Sequence, residues 1–92
     1  MALPPTVPTI HLNGTGYNTL YKEYKAAYKS VEEAINSVCD ATMNGRDYYP
    51  QGDDAFLRAR KEREDALEHL RIVKHYLEGM LVGIMDQNPR HL

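Results

Sequence analysis

Cysteine is scarce in this sequence, and tryptophan and long apolar runs are absent. Cys39 is the single cysteine, so no disulfide can form within the chain. The expectation is a reducing compartment, with Cys39 an ordinary small apolar residue. Tryptophan is absent and Phe56 is the one phenylalanine, against seven tyrosines. No stretch approaches the roughly 18 apolar residues of a membrane span. The opening residues also lack the basic start and apolar centre of a signal peptide, so the cytoplasm is the expected location and no membrane partner is expected. Positive charge is not in excess either: eleven basic residues face thirteen acidic ones, for a net charge of −2. A sequence-blind nucleic-acid binder draws most of its affinity from neutralising phosphates and is basic, so nucleic acid is not the expected partner.

What is present divides into three segments. A chain of 92 residues makes one domain, and a compact monomer of that size sits near the margin of stability unless something assists it. Residues 1–16 carry Pro4, Pro5 and Pro8, then Asn13, Gly14 and Gly16. Proline fixes φ and disfavours helix in the residue before it, so this arm is expected to be extended. Leu3, Val7, Ile10 and Leu12 give it apolar spacing. It is expected to lie along its own hairpin or along that of a neighbouring subunit.

Helical periodicity then takes over. Tyr17, Tyr21, Tyr24, Tyr28, Val31, Ile35, Val38 and Thr42 alternate in steps of four and three, the spacing of one helix face. Leu20, Ala27, Ala34 and Ala41 widen that stripe on one flank. The first helix is expected over 17–43, with Thr15 as its N-cap and Asn44-Gly45 as its stop. The loop 44–53 follows, and then a second helix over 54–86 capped by Asp53 or Asp54. Its inner face reads Phe56, Ala59, Arg63, Ala66, Leu70, Val73, Leu77, Met80 and Ile84, flanked by Leu67 and Leu81. Arg58–Glu62, Arg60–Glu64 and Lys61–Asp65 stand at ion-pair spacing on its outer face. Residues 88–92 form a tail. The fold class is therefore all-α: a long antiparallel helical hairpin with an extended N-terminal arm. Counting back from the turn sets Tyr28 near Leu70, Tyr24 near Val73 and Tyr21 near Leu77. Both stripes are wider than one partner helix can cover, so a helical bundle completed by a homo-oligomer, a dimer or higher, is expected.

Three features are candidates for function. A loop that only reverses the chain needs a glycine and a few polar residues, whereas this one holds Arg46, Tyr48, Tyr49 and Pro50 between Gly45 and Gly52. Tyrosine gives rigid amphipathic area and arginine a planar, bidentate cation, a pairing suited to recognition or to a nucleotide-like ligand. The alternative is that Tyr48 or Tyr49 plugs the open end of the hairpin. Of the two, Tyr49 is the expected plug, and Arg46 the expected recognition residue. Tyr21, Tyr24 and Tyr28 form a ladder where leucine would pack more simply, and contact another subunit or a ligand if they are not merely a half-wet seam. Arg63 stands on an apolar face and needs an acid, Glu32 or Glu33, or a subunit boundary.

Catalytic and metal-binding patterns are poor. His69 and His75 are too far apart in sequence to share a helix face as i,i+4 ligands do. Glu32-Glu33 and the acids of 62–65 faintly resemble the paired carboxylates of magnesium-dependent all-α nucleotide pyrophosphohydrolases, but Asn36 stands where a further acid would help. A mutase resembling the chorismate type would need several inward cations, and only Arg63 qualifies. No catalytic residue, metal ligand or cofactor is expected, and an enzyme is the third choice.

The segment Pro8-Thr-Ile-His-Leu-Asn-Gly-Thr15, followed by Asn44-Gly-Arg-Asp-Tyr-Tyr-Pro-Gln-Gly52, resembles small uncharacterised proteins of tailed phages and prophages. The likeness extends to chain length and to the place of the second motif between charged helices. It implies a phage context and a bacterial host cytoplasm, but no activity. In that setting a small non-enzymatic oligomer is expected to be a host-defence inhibitor, binding a host protein or a small nucleotide-like signal. A virion or scaffold-type assembly component is the alternative. The outline is also similar to secreted helical hairpins of the WXG type, from which it departs in having a longer turn without tryptophan.

Overall fold

The computed structural model describes residues 4–88. Leu3 and most of the expected tail lie outside them. Two helices, α1 (Tyr17–Asp40) and α2 (Ala55–Met85), pack as an antiparallel hairpin, and no strand occurs among the described residues. The molecule measures 61 × 25 × 20 Å. Its radius of gyration of 19.0 Å far exceeds the roughly 12 Å of a compact domain this size.

The arm lies along its own hairpin. Gly79 and Gly83 stand one helical turn apart on α2 and leave a notch for it. A Cβ on Gly79 would come within 2.9 Å of the Pro5 ring, and one on Gly83 within 2.5 Å of Val7. One turn further on, Gln87 clasps the arm: Nε2 donates to the Pro8 carbonyl at 2.9 Å, and Oε1 accepts from the Ile10 amide at 2.9 Å. The carboxamide thus engages the arm's C=O and N–H two residues apart, as a neighbouring strand would. A turn closed by the Gly14 amide on the His11 carbonyl (3.1 Å) then reverses the chain into α1. The N-cap of α1 is Gly16 rather than Thr15, and no side chain caps it.

α1 ends at Asp40, before the expected residue 43, because Arg63 of α2 takes its terminal carbonyls. The guanidinium donates to Cys39 O at 2.6 Å and Ala41 O at 3.0 Å. Ala41 and Asn44 are extended, and 3₁₀ turns follow at Gly45–Asp47 and Tyr49–Gln51. α1 therefore stops short of the start of α2, and the register slides from the counted one. Lys74, not Leu70, lies over the Tyr28 ring, at 5.6 Å, and pairs with Glu32 at 3.5 Å.

The core is lopsided. Ala55, Leu67, Leu77, Met80 and Ile84 of α2 are buried, while no residue of α1 is. Leu67 and Lys74 turn toward α1 where Ala66 and Val73 were expected, because a straight helix drifts against a strict seven-residue repeat. Thr42, beyond the end of α1, is exposed. The outer-face ion pairs also differ. Arg58 reaches back to Asp54 (2.7 Å) and Arg71 to Glu64 and Glu68 (3.3 and 3.4 Å), while only Lys61–Asp65 (3.5 Å) matches the expectation. Helical side chains lean toward the N-terminus, so the pairs with the acid first in sequence close more tightly. Asp54 occupies the N-cap of α2, but its carboxylate serves Arg58 and caps nothing.

Candidate binding site at the hairpin tip

The loop is a built structure. Asn44 Oδ1 accepts from the Arg46 amide at 3.0 Å, which starts the first 3₁₀ turn. The Tyr48 amide closes that turn on Gly45 O at 3.0 Å, and the Gly52 amide closes the second on Tyr49 O at 3.3 Å. Gly52 then adopts φ 112°, a backbone state that favours glycine, and delivers the chain to α2. Gly45 lies against the Phe56 ring.

Phe56 is the post around which the tip is arranged. The Tyr48 ring packs on it with centroids 5.9 Å apart and planes tilted by 39°, and the Arg60 guanidinium lies 5.7 Å from its centroid. Tyr48 is thus the plug expected of Tyr49. Tyr49 instead begins the second turn ahead of Pro50 and is 75% exposed. Adjacent residues in a tight turn diverge, so only one of the two rings can reach the bundle end. Arg46 is exposed, and its guanidinium makes no ion pair among the described residues. Tyr48, Tyr49 and Phe56, with Gly45, Gly52 and Asp53, line a cavity of about 400 Å³.

A second cleft, of about 370 Å³, opens on the other side of Phe56. Arg60, Arg63 and Arg71 line it with Cys39 and Met43. Arg63 is committed to the end of α1. Arg71 is held by Glu64 and Glu68, whose hydrogen bonds push its pKa upward. Arg60 makes no ion pair among the described residues and rests on Phe56. Cys39, expected to be an ordinary small apolar residue, is exposed and lines this cleft. The Phe56–Arg60 spacing of i,i+4 was the one sequence signal for this side of the tip.

The seven expected site residues do not converge. Arg46, Tyr48 and Tyr49 share the tip, whereas Arg63 caps α1 instead of meeting Glu32 or Glu33. Tyr21 and Tyr28 line a separate groove of about 250 Å³ with Lys25, Lys29, Leu81 and Met85, and Tyr24 is half-buried in the seam. Tyr17 stacks on Tyr21 at 5.8 Å, and Lys25 lies 5.4 Å from the Tyr21 centroid. Among the described residues no buried side-chain polar atom lacks a partner, and Tyr21, Tyr24 and Tyr28 are each half-buried.

Among the same residues, no three His, Cys, Asp or Glu side chains come together as a metal site, and no helix is long and apolar enough to cross a membrane. No protein-family model, curated protein or solved structure matches the chain.

Proposed function

We propose that this chain is a phage-type accessory protein that acts by stoichiometric binding through the hairpin tip, as a homo-oligomer in the bacterial cytoplasm. The observation that carries the reading is the exposure of both Arg46 and Tyr49 on one built loop. That loop is braced by Asn44, Phe56 and two closed 3₁₀ turns. A braced loop loses little entropy when it binds, and an unpaired guanidinium on the same loop as an exposed tyrosine suits a planar or anionic group on a partner. The phage context rests on the two sequence motifs. Within it, the partner is a host-defence protein or the small nucleotide-like signal that such a protein reads. A virion or assembly component is the second reading, favoured by the 61 Å length and the many exposed apolar side chains of α2.

Native mass spectrometry of the protein isolated from bacterial extract tests the first reading. Wild type is expected to retain a ligand or partner that Arg46→Ala and Tyr49→Ala lose, with melting temperatures unchanged. Retention by both variants would overturn a tip-centred function. An assembly component would instead retain only copies of itself.

A further inference from the structure

α2 carries a second stripe, about a quarter-turn round the helix from the face that meets α1. Ala66, His69, Val73, Tyr76, Met80, Gly83 and Gln87 follow in alternating steps of three and four, the spacing of a continuous helix–helix seam. Its two halves are in different states. At Met80, Gly83 and Gln87 the arm lies on or beside the stripe, and Met80 is only 2% exposed. At Ala66, His69, Val73 and Tyr76 nothing among the described residues covers it: Val73 is 44% and Tyr76 47% exposed, and Ile72 beside them 59%. Pro5, near the start of the described arm, meets α2 at Gly79.

We infer that the bare half is the interface with a second copy of this chain, α2 against α2 about a two-fold axis near residue 71. This rests on the homo-oligomer proposed above and names its face. Size matching carries the choice of occupant. In an antiparallel pairing centred there, Ala66 faces the partner's Tyr76 and His69 faces the partner's Val73, so each large side chain meets a small or slender one. Ile72 comes close to its own copy beside the axis. The contact is bounded alike at both ends, because Glu62 and Asp65 of one copy reach the arm of the other. Charged side chains at the rim with uncharged ones at the centre are what a protein interface requires.

The exposed area agrees. The chain exposes 7248 Å², against about 5,400 Å² for a folded monomer of its mass. The excess, about 1,800 Å², lies within the area an obligate two-fold dimer removes from each chain. The small residues Ala27 and Ala34 on the same flank of α1 leave room for the incoming hairpin. The opposite flank, with Lys25 and Lys29 around the Tyr21 groove, is charged.

Light scattering coupled to gel filtration, at tens of micromolar protein, is expected to show a dimer or a multiple of it. Val73→Glu should yield monomer, whereas Val82→Glu, at a site 53% exposed on another face, should leave the assembly unchanged. Because Val73→Glu could also unfold the chain, a covalent test accompanies it. In a Cys39→Ser background, Ile72→Cys is expected to form a disulfide-linked dimer under oxidised glutathione, and Leu57→Cys is not. A folded wild-type monomer would overturn both the oligomer and its face. An oligomer that cross-links through Leu57→Cys but not Ile72→Cys, and ignores Val73→Glu, would overturn the face alone.

Discussion

The two ends of the hairpin are built differently. At the arm end three segments meet, and Leu77, Met80 and Ile84 are buried. At the tip two short turns wrap the first turns of α2, where Ala55 is buried but Leu57 and Tyr49 stand 63% and 75% exposed. Packing is concentrated at one end and exposed side chains, Arg46 and Tyr49 among them, at the other. The proposed binding site is thus remote from the core, and the difference teaches that the tip can be altered with little effect on stability.

The strongest way to break that contrast is at the arm end. Ile84 is 0% exposed, and Ile84→Ala is expected to cost about 2–5 kcal/mol in denaturant unfolding. A loss below about half a kcal/mol would place the core elsewhere. Arg63→Ala comes next, at about 1–2 kcal/mol, since it frees the two carbonyls that end α1. Rescue by lysine should be incomplete, because one ammonium cannot span both acceptors as the guanidinium fork does.

Gly83→Ala sharpens the contrast without a large energy change. The new methyl collides with Val7, while alanine favours the helix by about 1 kcal/mol. Global stability should therefore move little, yet the Ile10 amide should lose its hydrogen-exchange protection. Continued protection of that amide would show that the arm tolerates a filled notch. At the tip, Arg46→Ala and Tyr49→Ala should each change stability by less than about half a kcal/mol, measured by thermal melting.

The smallest effect concerns pH. Hydrogen bonding and charge from Arg58 hold the Asp54 carboxyl below its ordinary pKa. A folded-state pKa below the unfolded one adds stability above the unfolded value, and that stability is lost as pH falls through the folded one. Asp54 is fully exposed, so the effect is slight. Asp54→Asn should lower the melting temperature slightly at neutral pH and converge on wild type in acid, so that its profile has the flatter acid limb.

The helices were legible because their apolar spacing is regular, and seven of the eight residues expected on the α1 seam are half-buried. The register was not, because the end of α1 is set by Arg63, a residue more than twenty positions away that periodicity reads only as a misplaced charge. Gly79 and Gly83 look like weak points in a helix until the arm is seen lying on them. At the tip, the composition of residues 45–52 singled out the loop as a candidate site, but Tyr48 and Tyr49 are adjacent and chemically identical. Only the three-dimensional path of the two turns decides which ring faces Phe56.

The Gln87 clasp also has a meaning in time. Its hydrogen bonds join residues 77 and 79 positions apart in sequence, in a fold whose other links are mostly local. The arm leaves the ribosome well before its seat does. The helices can form and pair while the arm is still loose, so its docking is expected to close the folding sequence. A nascent chain that stops before Gln87 has an arm with no clasp to hold it, and a closed arm is therefore a mark of a chain translated at least that far.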